Sequence, residues 1–267
     1  MRQKLGQHFL KDNNTLSFIA SHMNAKKGET IIEIGPGHGE LTNFLLENTQ
    51  INNNPLFCIE KDTSFFNNIE KLLNAHDGKN KLFRGDVRII LPKLPDIEKL
   101  DTYVLVGNIP YYLTSFLFRI ISDLKIRPHT TTFLIQKEVA VRASSKPPNQ
   151  NLLSTIISSF ADAKIIKNVP RDQFSPPPRV DSAVIQLETH NRYTNEEVEL
   201  YIKIAKTLFS HPRKTIYNNL RESTVFLGNN EKIKLALHTL KIPENTRPQF
   251  LGSEVMMVLA KMLYNEK

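Results

Sequence analysis

Along the first 190 positions, apolar residues fall into two alternating patterns: short continuous runs bounded by turn residues, and stretches where they recur every three or four places. The second pattern opens the chain, where Leu16, Ile19, Ala20 and Met23 predict a helix over 13–24 that gives way at Lys26-Lys27-Gly28. Runs at 30–34, 56–60, 81–84, 103–106 and 131–135 predict strands. Helical spacing at 40–47, from Asp62 through Leu73, at 114–124 and at about 152–161 predicts the helices between and after them. Such alternation makes a parallel sheet with right-handed connections. Two last strands, 164–169 and 183–187, flank a proline-rich loop, which predicts an antiparallel hairpin at the sheet edge. After His190-Asn191-Arg192 the strands stop. Phe209, Ile216, Leu220, Leu235, Leu237, Leu240, Met256, Leu259 and Leu263 then predict a small all-helical domain. The expected division is 1–190 and 191–267, with Lys146-Pro147-Pro148-Asn149-Gln150 a surface loop of the first domain.

A chain of 267 residues can bury one α/β core and a smaller appended one. No apolar run approaches the roughly 20 residues of a bilayer span. Behind the charges of Met1-Arg2-Gln3-Lys4 there is no apolar segment of a secretory leader, so a cytoplasmic monomer without a membrane partner is expected. The single cysteine, Cys58, sits inside Leu56-Phe57-Cys58-Ile59 and reads as a small buried thiol. Charge changes the picture more. Of a net +8, residues 1–118 contribute nothing, with 13 basic and 13 acidic side chains, so the whole excess lies in 119–267. A neutral half and a half facing a polyanion are expected. Within the basic half, Arg213-Lys214 with Arg221 one or two helical turns later is the densest candidate for phosphate contact, against the alternative of a solvated helix face.

The chemistry lies at the ends of the predicted strands. Glu33-Ile34-Gly35-Pro36-Gly37-His38-Gly39 follows the first of them and opens a helix, where Gly35 and Gly37 let backbone N–H groups approach a ligand. Its spacing is G-x-G-x-G, not the G-x-G-x-x-G of a dinucleotide pyrophosphate, and an acid stands two places before the first glycine. S-adenosyl-L-methionine is favoured over a nicotinamide cofactor. Glu60 ends the second strand, where a carboxylate can accept from ribose hydroxyls, and Asp86 follows the third, where an acceptor would meet the adenine amine. Each alone could be a solvated acid. Three such features after three successive strands, on one edge of an open sheet, specify a ligand. None of the eight histidines stands in H-E-x-x-H or beside a cysteine pair, which disfavours a zinc hydrolase or deaminase and leaves no metal expected.

After the fourth strand comes Gly107-Asn108-Ile109-Pro110-Tyr111. The exocyclic nitrogen of adenine is a poor nucleophile because its lone pair is delocalised into the ring. A site that methylates it must accept hydrogen bonds from its N–H groups, turning the lone pair toward the methyl donor. The Asn108 side-chain oxygen and Ile109 carbonyl are suited to accept, Pro110 to fix the turn, and Tyr111 to offer a face for stacking.

These five residues, with Leu5-Gly6-Gln7-His8-Phe9-Leu10 and Phe174-Ser175-Pro176-Pro177-Pro178-Arg179-Val180-Asp181-Ser182-Ala183, closely resemble the ribosomal RNA adenine dimethyltransferases, in particular their small-subunit branch (KsgA/RsmA). The likeness spans nearly the whole chain and includes Gln136-Lys137-Glu138-Val139-Ala140, Arg213-Lys214-Thr215 and Arg247-Pro248-Gln249-Phe250-Leu251. It implies a Rossmann-like α/β methyltransferase fold and dimethylation of N6 on two adjacent adenosines in a hairpin loop near the 3' end of small-subunit rRNA, with the pre-30S particle as partner. By the same resemblance His8, Leu10, Gly35, Glu60, Asp86 and Asn108 line the cofactor pocket, and Tyr111 and Phe174 sandwich the target base. The chain departs from the family at His8, where Asn is frequent. Erythromycin-resistance methyltransferases of large-subunit rRNA share the pocket and the Asn-Ile-Pro-Tyr turn, so they stay open as an alternative. A non-catalytic ribosome assembly or transcription factor would keep the fold, but Glu60, Asp86 and Asn108 would then have no need to be intact.

Overall fold

The computed structural model describes residues 8–76 and 79–264, so Leu5, Gly6 and Gln7 of the N-terminal motif lie outside the described residues. A two-residue strand, β1 (Phe9–Leu10), leads into α1 (Asn13–Ser21), whose first turn is closed by the Thr15 N–H donating to the Asp12 carboxylate at 2.8 Å. The apolar runs then become β2 (Thr30–Ile34), β3 (Leu56–Glu60), β4 (Lys81–Arg84), β5 (Tyr103–Asn108) and β6 (Thr130–Gln136). Between them stand α2 (Glu40–Asn52), α3 (Phe66–Asn74), the short α4 (Val87–Ile90) and α5 (Leu94–Ile97), and α6 (Thr114–Asp123). Every residue of β2 and β3 is buried, as coverage of both sheet faces demands. The chain continues through α7 (Lys137–Ala143), α8 (Leu152–Ser158), β7 (Ala161–Val169), the two-residue β8 (Phe174–Ser175) and β9 (Ser182–Thr189).

The large sheet has the order β4-β3-β2-β5-β6-β9-β7. Its first five strands are parallel, and β9 runs antiparallel to β6 with Ile135 opposite Ala183. The proline-rich connection therefore inserts β9 between β6 and β7, leaving β7 at the edge. Between β4 and β5 the chain crosses from one side of β2 to the other, which places the switch point of the sheet between β2 and β5. Their backbones close tightly there: a Cβ on Gly107 would sit 2.6 Å from the Ile34 carbonyl oxygen, so only glycine fits. A second, two-stranded ribbon pairs β1 with β8, Phe9 opposite Ser175 and Leu10 opposite Phe174. Leu10, Ile19, Leu45, Leu56, Val106 and Phe174 share one core.

Two compact units divide the chain. The first holds the sheet, up to Val141 and again over Ala163–Thr189. The second takes Arg142–Asp162 together with the chain from His190 onward, so the 146–150 loop and α8 belong to the helical unit and not, as expected, to the first domain. The reason is local. Leu152 packs on the helical core and the Ser158 and Tyr201 hydroxyls lie 3.1 Å apart. The rest of that unit is α9 (Asn195–Leu208), opened by a capping box between Thr194 and Glu197, then α10 (Ile216–Arg221), α11 (Asn230–Thr239) and α12 (Ser253–Tyr264). Tyr201, Leu208, Leu220, Leu237, Met256 and Leu259 fill its core.

Candidate active site

A cavity of about 340 Å³ opens where β2, β3, β4 and β5 end. It is walled by the glycine loop, by Glu60–Asp62, by Gly85–Arg88 and by Asn108–Leu113, with His8, Phe9 and Leu10 closing it from the front. Gly35 and Gly37 take φ of +67° and +58°, and a Cβ on Gly37 would press on the Phe9 ring at 3.0 Å. The loop thus keeps its backbone bare toward whatever the cavity holds.

The carboxylates around it differ in how they are held. Glu60 is 7% exposed, and its Oε1 accepts the N–H groups of Lys61 and Asp62, each at 2.7 Å, while Oε2 accepts that of Gly37 at 3.2 Å. Oε2 is the less committed oxygen and the one able to receive a ribose hydroxyl. Asp86 caps α4 through the Arg88 N–H and also accepts from the Arg88 side chain and from Lys61 Nζ at 3.0 Å. Those bonds, Arg88 first, hold its carboxyl well below the usual carboxylate range. Asp86 is therefore an ionised acceptor already engaged by two cations. Glu33, 1% exposed on β2, is pushed up to about 7, chiefly by burial. Its Oε2 accepts from the Thr42 hydroxyl at 2.8 Å and the Cys58 thiol at 3.5 Å. Cys58 itself is fully buried, its thiol raised well above the ordinary value by the same burial, and has no nucleophilic role.

Asn108 ends β5, and its Nδ2 donates to the His8 carbonyl at 3.1 Å, which leaves the amide oxygen as the acceptor. The Ile109 N–H donates to the Leu134 carbonyl at 3.0 Å and pins the turn to β6. Tyr111 is half-buried with its hydroxyl 2.9 Å from Ser182 Oγ, and burial raises the phenol so that it stays neutral. Its ring centroid lies 5.7 Å from that of His8, whose Nδ1 lies 2.9 Å from the Pro176 carbonyl oxygen. His8, Leu10, Gly35, Gly37, Glu60, Asp86, Asn108 and Tyr111 thus line one cavity. Phe174 does not. Opposite Leu10 in the β1–β8 ribbon, its side chain points into the core and is 4% exposed, so the open stacking face expected of it is absent here. Residues that sequence reading passed over are Lys61 and Arg88, which clamp Asp86, and Tyr112, 67% exposed at the rim; the doubled tyrosine was its only signal. In the helical unit Arg213 is exposed, whereas Lys214 is ion-paired with Glu222 and Arg221 lies 4.0 Å from the same carboxylate and over the Tyr217 ring.

A sheet of this order, with a glycine loop and an Asn-Ile-Pro-Tyr turn meeting at its switch point, is the fold and site of a Rossmann-like methyltransferase. The chain belongs to the ribosomal RNA adenine dimethylase family, whose model matches residues 1–263. It is 34% identical over 269 residues to the ribosomal RNA small subunit methyltransferase A of Mesoplasma florum, covering 95% of this chain and 94% of that one. With the protein of the same description from Treponema denticola it shares 33% identity, over 98% and 89%. Among solved structures, a dimethyladenosine transferase from Plasmodium falciparum superposes with a TM-score of 0.76 at 21% identity, over 94% of this chain and 96% of that one. The 23S rRNA methyltransferase ErmE superposes with a TM-score of 0.73, also at 21% identity, over 96% and 100%.

Proposed function

We propose that this protein binds S-adenosyl-L-methionine in the cavity and dimethylates N6 of two adjacent adenosines near the 3' end of small-subunit rRNA. The observation that carries the reading is the meeting of Asn108 with the glycine loop and Glu60 in one cavity, acceptor site beside cofactor site. The bare backbone at Gly35 and Gly37, the rigid Glu60 carboxylate and the acceptor at Asp86 suit an adenosine with its ribose. The cofactor supplies an electrophilic methyl group on a sulfonium. The protein's part is positional: the Asn108 oxygen and the Ile109 carbonyl accept the N–H bonds of the target amine, and Tyr111 gives the base a neutral face. No strong general base is needed, since the amine loses its proton only after the new C–N bond makes it acidic.

Structural likeness at 21% identity extends to a dimethyladenosine transferase and to a 23S rRNA methyltransferase alike, and does not choose the RNA. Relatives at 33–34% identity across their length carry small-subunit names, and they favour that target over the large-subunit alternative. The substrate is then the pre-30S particle in the cytoplasm. The protein acts as a monomer on this reading, with the described groups that wall the cavity all on one chain. Incubation with labelled S-adenosyl-L-methionine and undermethylated small subunits, followed by mapping of the label, tests the reading. Label on two adjacent adenosines near the 3' end is expected, and label on large-subunit RNA would overturn the target.

A further inference from the structure

Five carboxylates line the cavity: Glu33, Glu40, Glu60, Asp62 and Asp86. Four are held by cations or N–H donors, Asp62 by the Ser64 N–H and hydroxyl. Lys11 pairs with Glu40 at 2.6 Å, Lys61 and Arg88 pair with Asp86, and three backbone N–H groups hold Glu60. Glu33 has only the Thr42 hydroxyl and the Cys58 thiol, and no cation pairs with it among the described residues. Around it stand Cys58 and Glu60 on β3, Val106 on β5, and Thr42 and Glu40 on α2. An ionised carboxylate so placed lacks both water and a counter-charge.

Resting on the reading that the cavity takes S-adenosyl-L-methionine, we propose that Glu33 is the cofactor's counter-charge: it holds a proton in the empty cavity, releases it to solvent when the sulfonium-bearing ligand enters, and so favours that ligand over the neutral thioether left after methyl transfer. The same burial that keeps the proton on Glu33, near pH 7, makes the site respond to an incoming positive charge, because two charges interact strongly where water is excluded. Cofactor and product share the adenosine and the amino-acid end and differ at sulfur by one methyl group and one positive charge. Glu33 is thereby a specificity-determining residue for reactant over product. A dimethylating enzyme must exchange one for the other between transfers.

The linkage has a sign. Below pH 7 the incoming ligand must displace a proton, and above it Glu33 is already ionised, so affinity for S-adenosyl-L-methionine should weaken about tenfold from pH 8 to pH 6. Titration calorimetry at pH 7 in phosphate and in Tris buffer, whose ionisation heats differ, should read about half a proton released per S-adenosyl-L-methionine. S-adenosylhomocysteine should release less. Glu33→Gln should bind with flat pH dependence and no release. Infrared difference spectra of the wild-type protein give a second readout should that variant fail to fold: a protonated carboxyl band should vanish on addition of S-adenosyl-L-methionine and persist with S-adenosylhomocysteine. Binding without proton release, or release that survives in Glu33→Gln, would overturn the role of Glu33 and leave the methyltransferase reading standing. Absence of S-adenosyl-L-methionine binding at any pH would overturn that reading itself.

Discussion

Asn108 has two amide ends: its nitrogen holds the His8 carbonyl at 3.1 Å, and the proposed function gives its oxygen to the target amine. Replacing it with alanine should lower the single-turnover methylation rate by on the order of a hundredfold, the usual loss for one oriented polar group in such a site, with RNA affinity little changed. A parallel fall in RNA affinity with normal chemistry would reassign Asn108 to binding. Glu33 bears on stability as well as on ligand choice. Its carboxyl titrates near 4.5 in the unfolded chain and near 7 in the folded one, so the unfolded state releases the proton first and stability falls as pH rises between those values. Glu33→Gln lacks that loss. Its stability relative to wild type should therefore improve from pH 4.5 to pH 7.5, by about 3 kcal/mol at most, as thermal melts across that range would show. The motif made Glu60, Asp86 and Asn108 readable because each ends or closely follows a strand at the same edge of the sheet. The clamps on Asp86 were not readable, since Lys61 and Arg88 look like any surface cations until the fold brings them to one carboxylate.

Most strands and helices of four residues or more announce themselves by periodicity, and nearly all of the large sheet could be placed that way; the seven-residue α7, directly after β6, was not. Two-residue strands carry no period. The β1–β8 ribbon was therefore invisible, and with it the fact that Phe174 faces the core opposite Leu10. Phe174→Ala should destabilise the protein by about 3–5 kcal/mol, as for other buried phenylalanines, and denaturant unfolding measures this directly. A lowered methylation rate with unchanged stability would instead restore the stacking role. The α8 segment shows the other blind spot: its helical spacing was plain, but which core Leu152 joins depends on a helix some fifty residues further along.

At the scale of the molecule, the basic excess beyond residue 118 still points to the polyanion's side, but the cations there are unequal. Arg213 is exposed without an ion pair among the described residues, while Lys214 and Arg221 share Glu222. Replacing Arg213 and Lys214 with alanine should reduce the magnitude of the log-affinity against log-salt slope for rRNA by about one to two, Arg213 supplying the larger part. Glu222→Gln should steepen it by releasing Lys214. An unchanged slope in both variants would leave this cluster as solvated surface and move the footprint elsewhere.

The front wall of the cavity also sets an order of events during synthesis. His8 meets Pro176 across 168 positions of chain, and β1 finds its partner only at Phe174 and Ser175. Contacts so distant in sequence form late on a ribosome that releases the chain from its N-terminus. The parallel strands can assemble while β1 still waits, and the nascent enzyme has a glycine loop well before it has a closed site. The front wall is therefore completed only once about two-thirds of the chain has emerged.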